Sequence, residues 1–147
     1  MCSLKEIHFL EFIPHRYPFL FIDKVISFKK KFYLKSKITL NSNKFFSGHF
    51  PNYPVFPGVY ILEAMMQSAG ILIGKSNFNV LSKKKIYYVT FIKSAKFKKN
   101  VFPNETIYIK IFFLNNFNNF IKFKGYAFVK NLLVCEAIFT LYIKSDF

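Results

Sequence analysis

The sequence has 147 residues, 52% of them hydrophobic, and a formal net charge of +15. That length and apolar content suit a core that needs no disulfide or metal to be stable, so we expect residues 1–147 to form a single domain. Cys2 and Cys135 are isolated, which excludes the disulfide framework of small secreted proteins. The N-terminus lacks the basic region of a signal peptide. We therefore expect a cytoplasmic protein.

The positive charge is typical of nucleic-acid-binding proteins, but its composition argues against that function. Arginine occurs once, at Arg16, whereas lysine, phenylalanine, isoleucine, asparagine and tyrosine supply 80 of the 147 positions. All five residue types have A/T-rich codons, so a nucleotide bias accounts for much of the charge. We predict no nucleic-acid partner, while a non-catalytic basic binding module stays open as an alternative.

The first predicted element is a short amphipathic helix over residues 3–12, which begins with a capping-box pattern. Pro14 and Pro18 cannot continue a helix interior and therefore end it. Two β-rich runs follow, at 19–28 and 31–40, and lysines join them. This pattern predicts a hairpin with an exposed turn.

The pattern becomes helical over residues 57–74, where Pro57 suits the first turn and no further proline occurs. Apolar residues occupy every side of this helix, which is typical of a helix buried in a core or a membrane. A membrane span needs about 20 apolar residues, whereas this segment is shorter and contains Glu63, Gln67 and Ser68. We therefore predict a core helix and no membrane insertion.

The remaining chain predicts strands at 86–97, 105–114, 119–130 and 132–144. Apolar and polar residues alternate within them, and the asparagines between them are typical of hairpin turns. One buried helix followed by consecutive strands predicts an α+β fold, in which a long antiparallel meander wraps around the helix.

The candidate chemistry lies in GHFPNYPVFPGVYILEAMMQSAG, residues 48–70. Glu63 and Gln67 are one helical turn apart, so the amide can hydrogen-bond to the acid. Apolar neighbours desolvate the carboxyl, which favours its neutral, proton-donating form. His49 lies upstream in a loop stiffened by three prolines, where we expect Gly48 to let the backbone turn tightly.

That loop leads to the predicted helix start at Gly58, whose unpaired N–H groups suit a developing oxyanion. A neutral histidine base, a protonated carboxyl and backbone donors at a carbonyl are what β-elimination from a 3-hydroxyacyl compound requires. The residues alone leave a plainer alternative open. In that alternative His49 is a structural loop histidine, and Glu63 and Gln67 form a structural polar pair.

Three segments resemble the bacterial 3-hydroxyacyl-[acyl-carrier-protein] dehydratases of the FabZ type: PHRYPFLFIDKV (14–25), the 48–70 segment and YYVTFIKSAKFKKNVFPNETI (87–107). The resemblance covers nearly the whole chain. It implies a hotdog fold, in which an antiparallel sheet wraps around one long central helix. It also implies dehydration of (3R)-3-hydroxyacyl-[acyl-carrier-protein] to the trans-2-enoyl product in type II fatty acid biosynthesis, with no cofactor or metal.

The resemblance further implies a homodimer with two composite sites, and commonly a trimer of such dimers. Each site combines the histidine of one protomer with the glutamate of the other. By motif position, His49 matches the catalytic histidine and Glu63 the catalytic acid. Gly58 matches the glycine whose N–H faces the thioester carbonyl, and Gln67 the glutamine beside the acid. Because the acid is Glu rather than the Asp of the related dehydratase/isomerases, no double-bond isomerisation is expected.

Aromatic residues occupy positions that the resemblance assigns to the acyl tunnel. Tyr87 or Tyr88 falls where the family has an aromatic residue near the tunnel mouth. Phe56 and Tyr60 replace smaller aliphatic residues, so we expect a narrowed or reshaped tunnel.

Three further residues of the family pattern are expected to be structural: His15, Arg16 and Tyr17. His8 is assigned no role. The lysines at 29–31, 83–85 and 93–99 are candidates to receive the acidic carrier protein. For any single lysine, the alternative is a solvated surface enriched by codon bias. An acyl-thioesterase on the same fold is the alternative reaction, although the combination of the histidine and the acid argues against it.

Overall fold

The structure is a computed structural model that describes residues 8–78 and 85–145. Its elements are a 3-10 turn (Phe9–Glu11), β1 (Lys24–Lys29), β2 (Tyr33–Thr39), a second 3-10 turn (Asn43–Phe45), α1 (Gly58–Ser76), β3 (Lys85–Phe97), β4 (Thr106–Phe117), β5 (Phe120–Val129) and β6 (Leu132–Ser145). The strands form one antiparallel sheet in the order β1-β2-β4-β5-β6-β3.

Helix α1 is buried on most sides, as predicted for a core helix. It begins directly after Pro57 and ends at Asn77, which adopts a left-handed conformation with φ of 50°. It contacts strands β2 to β6, and the approach is close at Gly125, where an added Cβ would lie 2.9 Å from the Met65 sulfur. A sheet wrapped around one long helix confirms the predicted α+β hotdog fold. No helix within the described ranges is long and apolar enough to cross a membrane.

The N-terminal region differs from the prediction. Of the helix expected over 3–12, the described part forms only the 3-10 turn, and residues 3–7 lie outside the described ranges. The strand expected from residue 19 begins at Lys24. The Gln67 side chain bonds the backbone of Phe19 and Phe21 instead, which removes these groups from strand pairing.

The prediction of a continuous meander is wrong at β3, which pairs with β6 rather than with β4. Strand β3 has no fully buried residue, whereas Ile107, Ile109 and Ile111 of β4 are completely buried. The apolar β4 therefore lies inside the sheet, beside β2, and β3 lies at the edge. The segment between them crosses near the start of α1, where the Phe56 N–H donates to the Val101 carbonyl at 2.8 Å.

The predicted asparagine turns are confirmed at both hairpins. Asn118 has a φ of 52° between β4 and β5, and Lys130 and Asn131 have φ values of 48° and 64° between β5 and β6. Asparagine tolerates this left-handed region better than most residues.

Candidate active site

His49 is held by the loop that precedes α1. Its Nδ1 lies 2.8 Å from the Val55 carbonyl oxygen, and the Val55 N–H donates to the His49 carbonyl at 2.8 Å. Because a carbonyl oxygen only accepts, Nδ1 must bear the proton. In the neutral ring, Nε2 then has a free lone pair, as a general base requires. The backbone turns tightly at Gly48, as predicted, since the His49 N–H donates to the Phe46 carbonyl at 3.1 Å. Gly48 has no positive φ and nothing within 4 Å of its Cβ position, so this turn does not require glycine.

His49 lines a cavity of about 410 Å³ that also includes the first residue of α1, Gly58. The N-cap residue, Pro57, makes no side-chain cap, and the first N–H groups of a helix have no intrahelical partner. The Phe97 ring covers Gly58 so closely that a Cβ would lie 2.8 Å from two ring carbons. The cavity therefore combines a base with backbone donors at a helix N-terminus, where negative charge is favoured.

Glu63 lies further along α1, half-buried, with Gln67 one turn later, as predicted. The Gln67 Nε2 donates to Glu63 Oε1 at 2.9 Å and to the Phe19 carbonyl at 3.1 Å. The Gln67 Oε1 accepts from the Phe21 N–H at 2.9 Å. Both the nitrogen and the oxygen of this buried amide are therefore hydrogen-bonded, to Glu63 and to the backbone of the segment that covers α1.

His15 also contacts Glu63, which the sequence interpretation missed. Its Nε2 lies 3.4 Å from Glu63 Oε1, the same oxygen that Gln67 binds. Two signals were present in the sequence: histidine is rare in this chain, and His15 lies in a proline-bounded motif. Neither signal indicates which residue a loop histidine will contact.

The pKa of Glu63 is shifted in the direction opposite to the one expected from burial. Burial raises the pKa of this carboxyl, but the contact with His15 and the hydrogen bond from Gln67 outweigh burial and hold the pKa below its ordinary value of 4.5. The sequence interpretation considered burial and overlooked the second donor.

The structure does not bring all the predicted site residues together. His49, Gly58 and Phe56 line one cavity, and Glu63 is not among its lining residues. Glu63 lies five positions after Gly58 on α1, so the two residues face directions about 140° apart around the helix. Within one chain, His49 and Glu63 therefore lie in different places, and only His49 lines this cavity.

Comparisons with known proteins show the family of this chain. A family model described as a FabA-like domain matches residues 13–138. A 3-hydroxyacyl-[acyl-carrier-protein] dehydratase FabZ from Buchnera aphidicola subsp. Schizaphis graminum is 43% identical over 99% of this chain and 94% of its own length. The FabZ of Vibrio campbellii is 44% identical over 92% of this chain and 89% of its own. The chain belongs to the FabZ family.

Solved structures agree on the fold of this FabZ-family chain. The dehydratase heterocomplex ApeI:P from Xenorhabdus doucetiae has a TM-score of 0.79 and 14% identity, covering 94% of this chain and 91% of that one. A hypothetical thioesterase with coenzyme A from Streptococcus pneumoniae has a TM-score of 0.65 and 11% identity, covering 84% and 86%. At these identities the likeness shows the fold alone.

The aromatic residues of the FabZ motif region occupy two different places. Phe56 is 2% exposed and forms an aromatic cluster with Phe45 and Tyr60, at ring distances of 5.3 and 5.9 Å. Tyr87 packs on α1, where a Cβ at Gly70 would lie 3.0 Å from its ring. Its hydroxyl donates to the Phe12 carbonyl at 3.3 Å, and burial raises its pKa.

Tyr88 points away from Tyr87 and is 46% exposed, so only one of the two packs against the helix.

The lysines are distributed over distant parts of the FabZ fold. Lys99 lines the His49 cavity, whereas the Lys31 N–H donates to Ser76 Oγ at the far end of α1. Residues 83–84 of the second predicted cluster lie outside the described ranges. Across residues 8–78 and 85–145, no group of three or more His, Cys, Asp or Glu residues could hold a metal ion.

Proposed function

We propose that this protein dehydrates (3R)-3-hydroxyacyl-[acyl-carrier-protein] to the trans-2-enoyl thioester in type II fatty acid biosynthesis, without isomerising the double bond. The observation that carries this proposal is the His49 arrangement, in which Nδ1 donates to Val55 and Nε2 is left as a base beside the N-terminus of α1. The curated relatives bear the FabZ name over nearly their full length. We propose that the chain acts as one catalytic domain, and the cytoplasmic location stays a prediction.

The elimination begins at the α-carbon of the thioester. His49 Nε2 takes the α-proton, and the electron pair moves toward the thioester oxygen. The Gly58 N–H stabilises the developing negative charge at that oxygen. Re-formation of the carbonyl then drives the pair into the new double bond as the 3-hydroxyl leaves.

Glu63 supplies the proton that makes the hydroxyl leave as water. In the isolated chain its pKa is lowered, so it must take up a proton when the site closes. Burial is the largest single influence on this carboxyl, and a second subunit and a substrate would exclude more water, which raises its pKa. After product release, the protonated His49 returns a proton to Glu63 and the site is reset.

A homodimer would bring the His49 cavity of one copy to Glu63 of the other. We also propose that such dimers assemble further into a trimer of dimers. Strand β3 is an edge strand with five exposed apolar side chains: Tyr88, Val89, Phe91, Ile92 and Phe97. Val59, at the start of α1, is 65% exposed beside them. Pairing of two β3 edges about a twofold axis would cover this surface. It would let His49 of one copy approach Glu63 of the other.

The acidic carrier protein is the proposed second partner. Lys99 lines the His49 cavity, and Lys96 and Lys98 lie nearby in sequence, each 3.9 Å from Glu136. All three lysines are exposed, and of the three Lys99 lines the cavity that a carrier-bound thioester would enter. We propose this cluster, rather than residues 29–31, as the docking surface.

The experiment is a dehydration assay on a short 3-hydroxyacyl carrier-protein substrate with wild type, His49→Ala and Glu63→Gln. Each variant is expected to lose about 10²- to 10⁴-fold in rate while remaining a folded oligomer. Near-normal turnover in either variant would contradict its assigned role. Release of free acid instead of the trans-2-enoyl thioester would indicate a thioesterase.

Mixing the two inactive variants tests the composite site. Random reassortment makes half of the dimers mixed, and one of the two sites in each mixed dimer is intact, so about a quarter of wild-type activity should return. Mixing either variant with itself is the control. If the mixture stays inactive after the subunits have demonstrably exchanged, each site is built within one chain.

A further inference from the structure

Both polar contacts described for Glu63 converge on one of its two oxygens. Gln67 Nε2 donates to Oε1 at 2.9 Å, and His15 Nε2 lies 3.4 Å from the same atom. The other oxygen, Oε2, accepts no hydrogen bond from any residue in the described ranges. The carboxyl is therefore held by one oxygen and free at the other.

His15 is itself held firmly in the segment that covers α1. The guanidinium of Arg16 donates to the backbone carbonyls of Ile13 at 2.9 Å, His15 at 2.7 Å and Leu10 at 3.1 Å. The His15 ring stacks on Phe19 at 6.4 Å with planes 24° apart. Gln67 ties the same segment to the helix through the carbonyl of Phe19. The imidazole therefore has little freedom to leave the carboxyl.

The second ring nitrogen of His15 indicates which form donates. Nδ1 is buried and has no hydrogen-bond partner in the part of the chain that the structure describes. A proton on Nδ1 would be a buried donor without an acceptor, which is costly. The neutral ring with its proton on Nε2 avoids that cost and donates to Glu63.

We propose that His15 is a positioning residue for Glu63, whose Nε2–H fixes Oε1 so that Oε2 alone faces the substrate hydroxyl. The proposal rests on the proposed function in that it takes Glu63 as the acid. His15 does not touch the substrate; it acts through the orientation and proton affinity of the carboxyl.

His15 is also the titratable group that acts on Glu63. Within the described residues, the groups that influence this carboxyl are His15 from the covering segment and the uncharged Gln67 from α1. Arg16 turns its charge toward backbone carbonyls. In the proposed dimer, His49 of the second copy joins them. Without His15, burial is opposed by Gln67 alone, so the pKa of Glu63 rises and the limb of the kcat/KM profile that reports Glu63 moves to higher pH.

The test compares two substitutions at this position in the dehydration assay. His15→Leu removes the donor and should lower kcat/KM by roughly 10- to 100-fold, as misplaced catalytic groups do, and move the limb that reports Glu63 to higher pH. His15→Gln keeps an amide donor at a similar distance and should recover most of the rate, with a smaller movement of the limb. His8→Leu, at an exposed histidine, should match wild type.

A double-mutant cycle separates positioning from a structural role. If His15 acts only through Glu63, adding His15→Leu to Glu63→Gln should change the remaining rate by less than about twofold. An equal loss in both backgrounds would overturn the proposal, as would a His15→Gln enzyme as slow as His15→Leu, or an unchanged pKa in the limb of the profile that reports Glu63. Should His15→Leu fail to fold, the rate and pH profile of His15→Gln still decide the matter.

Failure of the proposed function and failure of the His15 proposal can be distinguished. Absence of dehydration by wild type would refute the proposed function. An active wild type, an inactive Glu63→Gln and a normal His15→Leu would refute only the role of His15.

Discussion

Gln67 donates a 2.9 Å hydrogen bond to Glu63 one turn earlier on α1, and the same amide connects the helix to the segment above it. The contact that orients the acid is thus part of the packing of the fold. A change at Gln67 should therefore affect both stability and catalysis.

Gln67→Leu should be strongly destabilising. It leaves the Phe19 carbonyl and the Phe21 N–H without their partner, and orphaned buried groups cost about 1–3 kcal/mol each. We expect a loss of about 2–5 kcal/mol in the free energy of unfolding by urea denaturation, together with loss of dehydration. Met66→Leu, a nearly volume-conserving change on the same helix, is the control. A Gln67→Leu protein as stable as that control would show that the amide does not tie the segment to α1.

Gly58→Ala should impair catalysis more than stability. The new Cβ would come within 2.8 Å of the Phe97 ring, and that ring is half exposed and can turn away. Since Gly58 needs no positive φ, we expect at most about 1 kcal/mol of destabilisation. The displaced ring enters the His49 cavity, so kcat/KM should fall at least about tenfold. Gly48→Ala, which meets no atom within 4 Å, is the stability control, and unchanged kcat/KM in Gly58→Ala would contradict the close packing.

The sequence predicted the long helix within two residues at its C-terminal end, because apolar residues on all sides and a proline at the start are local signals. The hairpin turns at Asn118 and Asn131 were predictable for the same reason. The position of β3 was not, since pairing with β6 depends on which strand is buried across the whole sheet. Local alternation of apolar and polar residues predicts a strand, but it does not indicate which strand will pair with it.

The candidate site also divides into contacts that are local in sequence and contacts between distant segments. Glu63 and Gln67 share a helix face, so their contact could be read from their spacing. His15 is 48 positions from Glu63 and reaches it through the tertiary fold. Its contact and the hydrogen bond from Gln67 together outweigh the effect of burial on the Glu63 pKa. Contacts between distant segments are what a single sequence leaves out.

Cys135 should be unreactive in the folded protein. Its side chain is fully buried, and burial with nearby Glu136 raises the pKa of the thiol from 9.0 to about 11. That shift lowers the thiolate fraction at pH 8 about a hundredfold. In a Cys2→Ser protein, a chromogenic disulfide reagent should label Cys135 only as urea unfolds the chain. Rapid labelling of the native protein would show that β6 opens locally.

Phe56→Leu should change substrate preference if this ring limits the acyl tunnel. It lines the His49 cavity while packing against Phe45, so a smaller side chain creates space there at a cost of about 1–2 kcal/mol. The kcat/KM ratio of long-chain to short-chain substrates should rise about tenfold. Phe46→Leu removes a buried ring that does not line this cavity. An equal kcat/KM ratio of long-chain to short-chain substrates in Phe56→Leu and Phe46→Leu would show that Phe56 does not limit the tunnel.

Lys99→Glu should weaken binding of the carrier protein without slowing the chemistry. The lysine lines the cavity with His49, so reversing its charge repels an acidic carrier where the thioester enters. We expect KM for the carrier-bound substrate to rise several-fold in low salt and less at 0.15 M, where the Debye length is about 8 Å. The rate with a small thioester lacking the carrier should not change. Lys30→Glu makes the same charge change in the β1–β2 turn, near the opposite end of α1, and should leave KM unaltered. An equal rise in KM for Lys30→Glu would mean that net charge, rather than the cluster at the cavity, attracts the carrier.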